Sequence, residues 1–199
     1  MNKIFLETIR ALDSQVYHLS YHQERYEGVL KYFGIREIFS LKEYLNPPKN
    51  GLYRCRLTYD ISKTPHQIEV SYYPYKKREI GSLKLIYDDF IEYSMKYTNR
   101  EELDALFAKR GLCDDVLIVK NSLLCDTSIA NIAFFDGDRW VTPKKPLLNG
   151  TTRQRLLSEG KIFEEDITVD DLKKYSKAAL MNAMIDFDII SKKIEEIFC

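Results

Sequence analysis

No stretch of this sequence stays apolar for the roughly 20 residues a membrane-spanning helix needs, so no such span is expected. The opening run MNKIFLETIRALD carries charge too early and too often for a signal peptide, and a cytoplasmic setting is expected. Neither sign of charge is in excess: 30 Lys and Arg face 30 Asp and Glu. That balance gives no argument for nucleic acid or an anionic membrane as a partner. Local basic runs such as Lys76-Lys77-Arg78 are short and read as solvated turns. The four cysteines, Cys55, Cys113, Cys125 and Cys199, form no CxxC pair. Free, buried thiols in a reducing compartment are expected. The three histidines, His18, His22 and His66, share no ligand spacing with cysteines or acids, so no metal is expected. Internal repeats and low-complexity segments are missing too.

What is present is an ordinary globular composition. The 199 residues are 45% hydrophobic and 30% charged, enough for one large domain or two small ones with a sizeable core. Residues 4–10 read as a strand, and after a turn at 12–15 residues 16–19 read as its returning partner. A helix follows from Ser20, with Tyr21, Val29, Leu30 and Phe33 at helical spacing and Gly34 as its stop. A short helix is predicted over 40–45, and residues 52–59 and 67–72 alternate as two strands of a hairpin. The polar, basic stretch from Pro74 to Gly81 marks a domain boundary: 1–75, a linker over 76–82, and 83–199. Beyond it come strands at 83–87 and 115–119, with a helix at 99–110 between them. A hairpin over 129–142, helices at 152–159 and 169–175, a strand at 178–182 and an amphipathic tail over 190–198 complete the pattern. Strands and helices do not alternate strictly, so the class is α+β rather than a doubly wound sheet.

Three stretches carry chemistry that fits pyridoxal phosphate (PLP). Lys96 follows Phe90, Ile91, Tyr93 and Met95, apolar neighbours able to desolvate an amine and make it nucleophilic; by itself it reads as a surface charge. Asp126 stands at a strand end, either a turn acid or the carboxylate that keeps a pyridine nitrogen protonated. Asn131 could hold the same loop or touch the ring. Asn149-Gly150-Thr151-Thr152 is a plain turn and helix start, and equally a receptor for a phosphate at a helix N-terminus. Arg25, one turn along the first helix from His22, is either a surface arginine or a forked phosphate ligand. Arg54, Arg56 and Tyr53 on one strand could reach a substrate carboxylate; Arg54 and Arg56 share a face, which could equally point to solvent.

These residues together resemble the class IV aminotransferases, PLP enzymes of fold type IV that include branched-chain and D-amino acid aminotransferases and 4-amino-4-deoxychorismate lyase. The resemblance runs over nearly the whole chain. Phe5-Leu6-Glu7-Thr8-Ile9-Arg10 is similar to the family's early strand, and His22 and Arg25 to its HxxR. Lys96 with Asn99 resembles the lysine run, Asp114–Ile118 the buried strand after it, and Asp126–Asn131 the ExxxxNLF motif. Leu148–Arg153 resembles the LxGITR turn, and Lys177–Met184 the late strand and loop. The resemblance implies a D-amino acid aminotransferase-like fold: a small N-terminal α/β domain, shortened at its start, and a larger PLP-binding α/β domain. It implies Lys96 as the Schiff-base lysine and proton shuttle. Asp126 then replaces the usual glutamate at the pyridine nitrogen. Arg25, Thr151 and Thr152 fall to the phosphate and Asn131 to the cofactor loop. Arg10, Arg54, Arg56, Asn182 and Ala183 fall to the substrate side.

The run Lys96-Tyr97-Thr98-Asn99-Arg100 is closer to the lyase pattern than to the branched-chain one, since Glu101 stands where the latter has tyrosine. The reading favoured is therefore the lyase, which releases pyruvate and forms 4-aminobenzoate for folate. An aminotransferase acting on branched-chain or D-amino acids, and a weakly active or non-catalytic relative, are the alternatives. A small amino substrate and a homodimer are the implied partners.

Overall fold

Phe5, Glu7, Ile9 and Ala11 alternate with Leu6, Thr8 and Arg10 along β1 (Ile4–Leu12), and the first set is buried. The period of two turns one face of the strand inward and leaves the other half-open. The computed structural model describes residues 3–198, which divide into two units. The first runs through Lys77 and takes in Met95–Asn99; the second comprises Arg78–Ser94 and continues from Arg100.

In the first unit, β1 lies between β2 (Gln15–Val16) and β3 (Leu52–Asp60), and β4 (Gln67–Pro74) pairs with the far side of β3, all antiparallel. Helix α1 (Leu19–Tyr32) buries His22, Tyr26, Val29 and Leu30, which recur at helical spacing. Tyr26, Val29 and Leu30 pack with Phe5, Leu41, Leu57 and Tyr59 into one apolar cluster. The helix ends before Gly34, whose φ of 71° suits a residue without a side chain. Met95–Asn99 returns to lie along β1: Leu6 N–H donates to Lys96 O at 2.8 Å and Thr98 N–H to Ile4 O at 3.1 Å. The Tyr97 ring sits 5.2 Å from that of Phe5.

In the second unit, β5 (Leu83–Tyr87) runs parallel to β6 (Asp115–Lys120), with α2 (Glu101–Ala108) in the connection. A tight turn through Asn121 and Ser122, both at positive φ, leads into β7 (Leu123–Thr127). Next come β8 (Asn131–Phe135) and β9 (Trp140–Pro143), then α3 (Thr151–Ser158) and β10 (Phe163–Glu165), which runs parallel to β9. Strand β11 (Lys177–Asn182) pairs with β8 and with β12 (Asp186–Ile189). The core gathers Leu83, Leu117, Leu124, Ile132, Phe134 and Leu180, with Phe134 stacked on Tyr175.

The class is α+β, as expected. Differences from expectation are local. The returning strand after the first turn is two residues long, because His18 at φ 54° swings the chain into α1. Residues 41–44 and 169–174 form 3-10 rather than α-helix, the latter closed by a reciprocal cap between Thr168 and Asp171. The tail carries only α4 (Ile194–Ile197) as helix. Cys55 and Cys125 are free and buried, as expected; Cys113 is disulfide-bonded, a correction to the expectation of free thiols. Bonded sulfurs need only meet in space, so spacing along the chain gives no warning. Cys199 lies outside the described residues. No helix among those residues is long and apolar enough to cross a membrane.

Phe134→Ala is expected to destabilise the protein by roughly 3–5 kcal/mol through the cavity it leaves. Leu112→Ala, at a side chain lying fully in solvent, should stay within about 0.5 kcal/mol. Urea unfolding of the two variants measures both.

Candidate active site

The inner face of β1 holds one carboxylate among apolar side chains. Glu7 is fully buried, and two residues of α1 three positions apart, and so on one helix face, converge on it. Arg25 donates from Nε to Glu7 Oε1 at 2.8 Å and from Nη2 to Oε2 at 2.5 Å. His22 Nδ1 lies 2.6 Å from Oε2. Burial works against the charge of Glu7, but the Arg25 guanidinium and the two sets of hydrogen bonds outweigh it and hold the pKa at about 2. The same burial lowers the pKa of His22, helped by the nearby charges of Arg25 and Lys96 and opposed by Glu7. His22 is thus neutral, and its Nδ1–H donates to the carboxylate. Lys96 lies on the segment that pairs with β1 next to Glu7, its backbone O accepting from Leu6 N–H.

The outer face of the same sheet is cationic. Arg10 on β1 stands directly opposite Arg54 on β3, and Arg56 lies two residues further along that face. Arg10 leans over the Tyr17 ring and Arg54 over that of Tyr73. The buried Nε of Arg10 has no hydrogen-bond partner among the described residues. Like charges facing each other across strands are unfavourable unless an anion joins them.

In the second unit, Asp126 and Asn131 are cross-strand partners, joining β7 to β8 across a four-residue loop. Thr127 ties that loop, accepting from Ala130 N–H and donating to Ala130 O. Asn131 Nδ2 donates to Asp126 Oδ1 at 2.7 Å and to Leu148 O at 2.8 Å, and Leu148 N–H donates to Asp126 Oδ2 at 2.9 Å. The pair therefore fixes the turn that leads into α3. A Cβ at Gly150 would run into Asn131 Oδ1, so this close approach requires glycine. Arg153 braces the turn from the other side, donating to Pro143 O at 2.9 Å and Asn149 Oδ1 at 3.2 Å. Helix α3 starts at Thr151 with no side-chain cap, and Thr151 and Thr152 are buried in its first turn. Its first N–H groups and dipole favour an anion. Burial pushes Asp126 up to about 6, against the hydrogen bonds from Leu148 and Asn131 and the charge of Arg153.

The first unit thus carries Arg10, Arg25, Arg54, Arg56 and Lys96, and the second Asp126, Asn131, Thr151, Thr152, Asn182 and Ala183. Asn182 turns its side chain to its own loop, accepting from Met184 and Ile185 N–H and donating to Ile129 O. Two residues escaped the sequence reading. Glu7 was detectable, since it is the one acid at an inward position of an alternating strand. Arg153 was not, because an arginine on a short helix looks solvent-facing. Among the described residues no group of His, Cys, Asp and Glu could hold a metal ion.

Asp126 sets a pH dependence of stability. Its folded pKa of about 6 lies above its ordinary 3.8, so the folded protein holds the extra proton between those values. The associated stability is full below about pH 4 and declines as pH rises to about 6, by about 3 kcal/mol. Glu7 acts in the opposite sense and at lower pH, losing its contribution as pH falls from about 4.5 toward 2. Urea unfolding at several pH values should show the first decline in the wild type and not in Asp126→Asn.

The class IV amino-transferase family model matches residues 5–192. An uncharacterized protein of Haemophilus influenzae is 38% identical over 184 residues, which cover 89% of this chain and 96% of that protein. Among solved structures, a Haemophilus somnus 129PT protein provisionally described as a 4-amino-4-deoxychorismate lyase is 33% identical. Its TM-score is 0.83, over 92% of this chain and 97% of that one. A hypothetical aminotransferase of Mycobacterium tuberculosis in its PLP-bound form shares the fold at 16% identity and a TM-score of 0.77, over 94% and 80% of the two chains. With a family match across most of its length and near-full-length relatives above 30% identity, the chain belongs to the class IV aminotransferases, a family of PLP-dependent enzymes.

Proposed function

We propose that this protein is a PLP-dependent 4-amino-4-deoxychorismate lyase, forming pyruvate and 4-aminobenzoate. PLP needs an amine to link to, an acid for its ring nitrogen and donors for its phosphate. The first unit supplies Lys96 and the Arg25 guanidinium; the second supplies Asp126 and the uncapped start of α3 at Thr151 and Thr152. Each unit carries donors of the kinds this group requires. Asp126 is one methylene shorter than the glutamate of the family pattern and is held by Asn131. A cation beside it would lower that raised pKa and favour the ionised form.

The observation that carries the choice of substrate is the arginine face. Arg10, Arg54 and Arg56 present three guanidinium groups on one side of a sheet, with no ion pair among the described residues. Aminodeoxychorismate brings two carboxylates to such a face; a branched-chain amino acid brings one. The description of the Haemophilus somnus relative supports the same choice.

When bound, PLP supplies an electron sink for the carbon that bears the substrate amine. Lys96 Nζ takes the proton from that ring carbon, the neighbouring C–O bond breaks, and the proton passes to the departing enolpyruvyl group. The ring becomes aromatic as the bond breaks. Arg10, Arg54 and Arg56 hold the carboxylates through the elimination, and Ala183 with the turn held by Asn182 lines the substrate side. A cytoplasmic homodimer supplying 4-aminobenzoate for folate completes this reading.

Purified protein with PLP is expected to show the visible absorption of a lysine-linked cofactor, lost in Lys96→Ala. With aminodeoxychorismate it should release pyruvate without any 2-oxo acid acceptor. Amino-group transfer that depends on such an acceptor would assign an aminotransferase instead, and no visible band would overturn the enzyme reading. Arg54→Ala and Arg56→Ala should each raise KM by roughly tenfold, the loss of one charged hydrogen bond, with kcat changing less.

A further inference from the structure

Glu7 has no role in the chemistry above, and its burial calls for one. A carboxylate at an inward strand position, beside Phe5 and Ile9, is costly to desolvate, and buried ion pairs seldom repay that cost better than apolar packing does. We propose that Glu7 is a positioning residue: by gripping the Nε–Nη2 edge of Arg25 it fixes the guanidinium plane in the orientation that receives the phosphate of the cofactor. The proposal rests on the PLP reading of the site.

The geometry is that of a relay with a fixed base. His22 donates to Glu7 Oε2 and holds the carboxylate plane. Arg25 meets both carboxylate oxygens in a forked contact. Glu7 is wholly enclosed, whereas the Arg25 side chain keeps 11% of its surface exposed. Lys96, whose backbone pairs with β1, belongs to the same unit, and the phosphate anchor and the amine therefore share one framework. The charges of Glu7 and Arg25 cancel while His22 is neutral. The pair therefore attracts an anion through the direction of its N–H groups more than through net charge.

Direction and charge are separated by Glu7→Asp, which keeps the charge and withdraws the carboxylate by one methylene. The test compares affinity for PLP with affinity for pyridoxal, which lacks the phosphate, by absorption titration. Glu7→Asp is expected to weaken PLP binding by roughly tenfold, the loss of one charged hydrogen bond, while pyridoxal binding changes by less than about twofold. In an Arg25→Lys background the same change should add nothing. An unaltered PLP-to-pyridoxal ratio, or equal loss of both, overturns the proposal. If Glu7→Asp does not fold, Glu7→Gln is read by the same ratio. Wild-type protein that takes up neither compound overturns the cofactor reading alone. The Glu7 assignment is then read from thermal stabilisation by inorganic phosphate, expected in the wild type and lost in Glu7→Asp. Its persistence in the variant, or its absence from the wild type, overturns the assignment.

Discussion

The second unit depends on one buried hydrogen bond, from Asn131 Nδ2 to Asp126 Oδ1. These residues are also the backbone pair through which β7 meets β8, and so the joint between the two parts of the larger sheet. The same amide and carboxylate reach across to both backbone groups of Leu148 and fix the turn ahead of α3. A sheet junction, an acid and a helix start are thereby set by two side chains. Replacing either with an apolar residue would strand buried polar groups on the other and on Leu148. The requirement for glycine at position 150 follows, since the amide that organises the turn fills the space a Cβ would occupy.

Glu7 in the first unit and Asp126 in the second are both buried acids, and their environments push in opposite directions. Glu7 is enclosed with a guanidinium and a donating imidazole, so its charge is favoured. Asp126 is enclosed with neutral donors and a more distant arginine, so its charge is disfavoured. The first acid is satisfied within the protein and acts on another residue. The second is left short of a positive partner, which is the condition expected of a group that meets a cationic ligand.

The main strands were legible because their alternation is strong: β1, β3 and β5 stand where the periodicity places them. Helix α1 was legible for the same reason at a different period. Strands β10 and β12 were not, being three and four residues long and rich in acids. The site motifs could be found as short runs, but their wiring could not. Nothing in the order Asp126–Asn131 shows that the two face each other across a sheet, or that Leu148 accepts from Asn131 and donates to Asp126. Nor does a boundary signal mark Met95–Asn99 as part of the first unit, because five residues are too few to shift composition.

That short return has a consequence for how the chain is made. Thr98 bonds Ile4 across 94 positions, and the Tyr97 ring covers Phe5. A ribosome must therefore deliver almost half the polypeptide before the earliest strand gains its last neighbour. Closing so wide a loop adds little entropy beyond a moderate one, but it delays the contact. The lysine is accordingly among the last parts of its unit to be seated, and its amine takes up its surroundings only after Glu7, His22 and Arg25 have been synthesised.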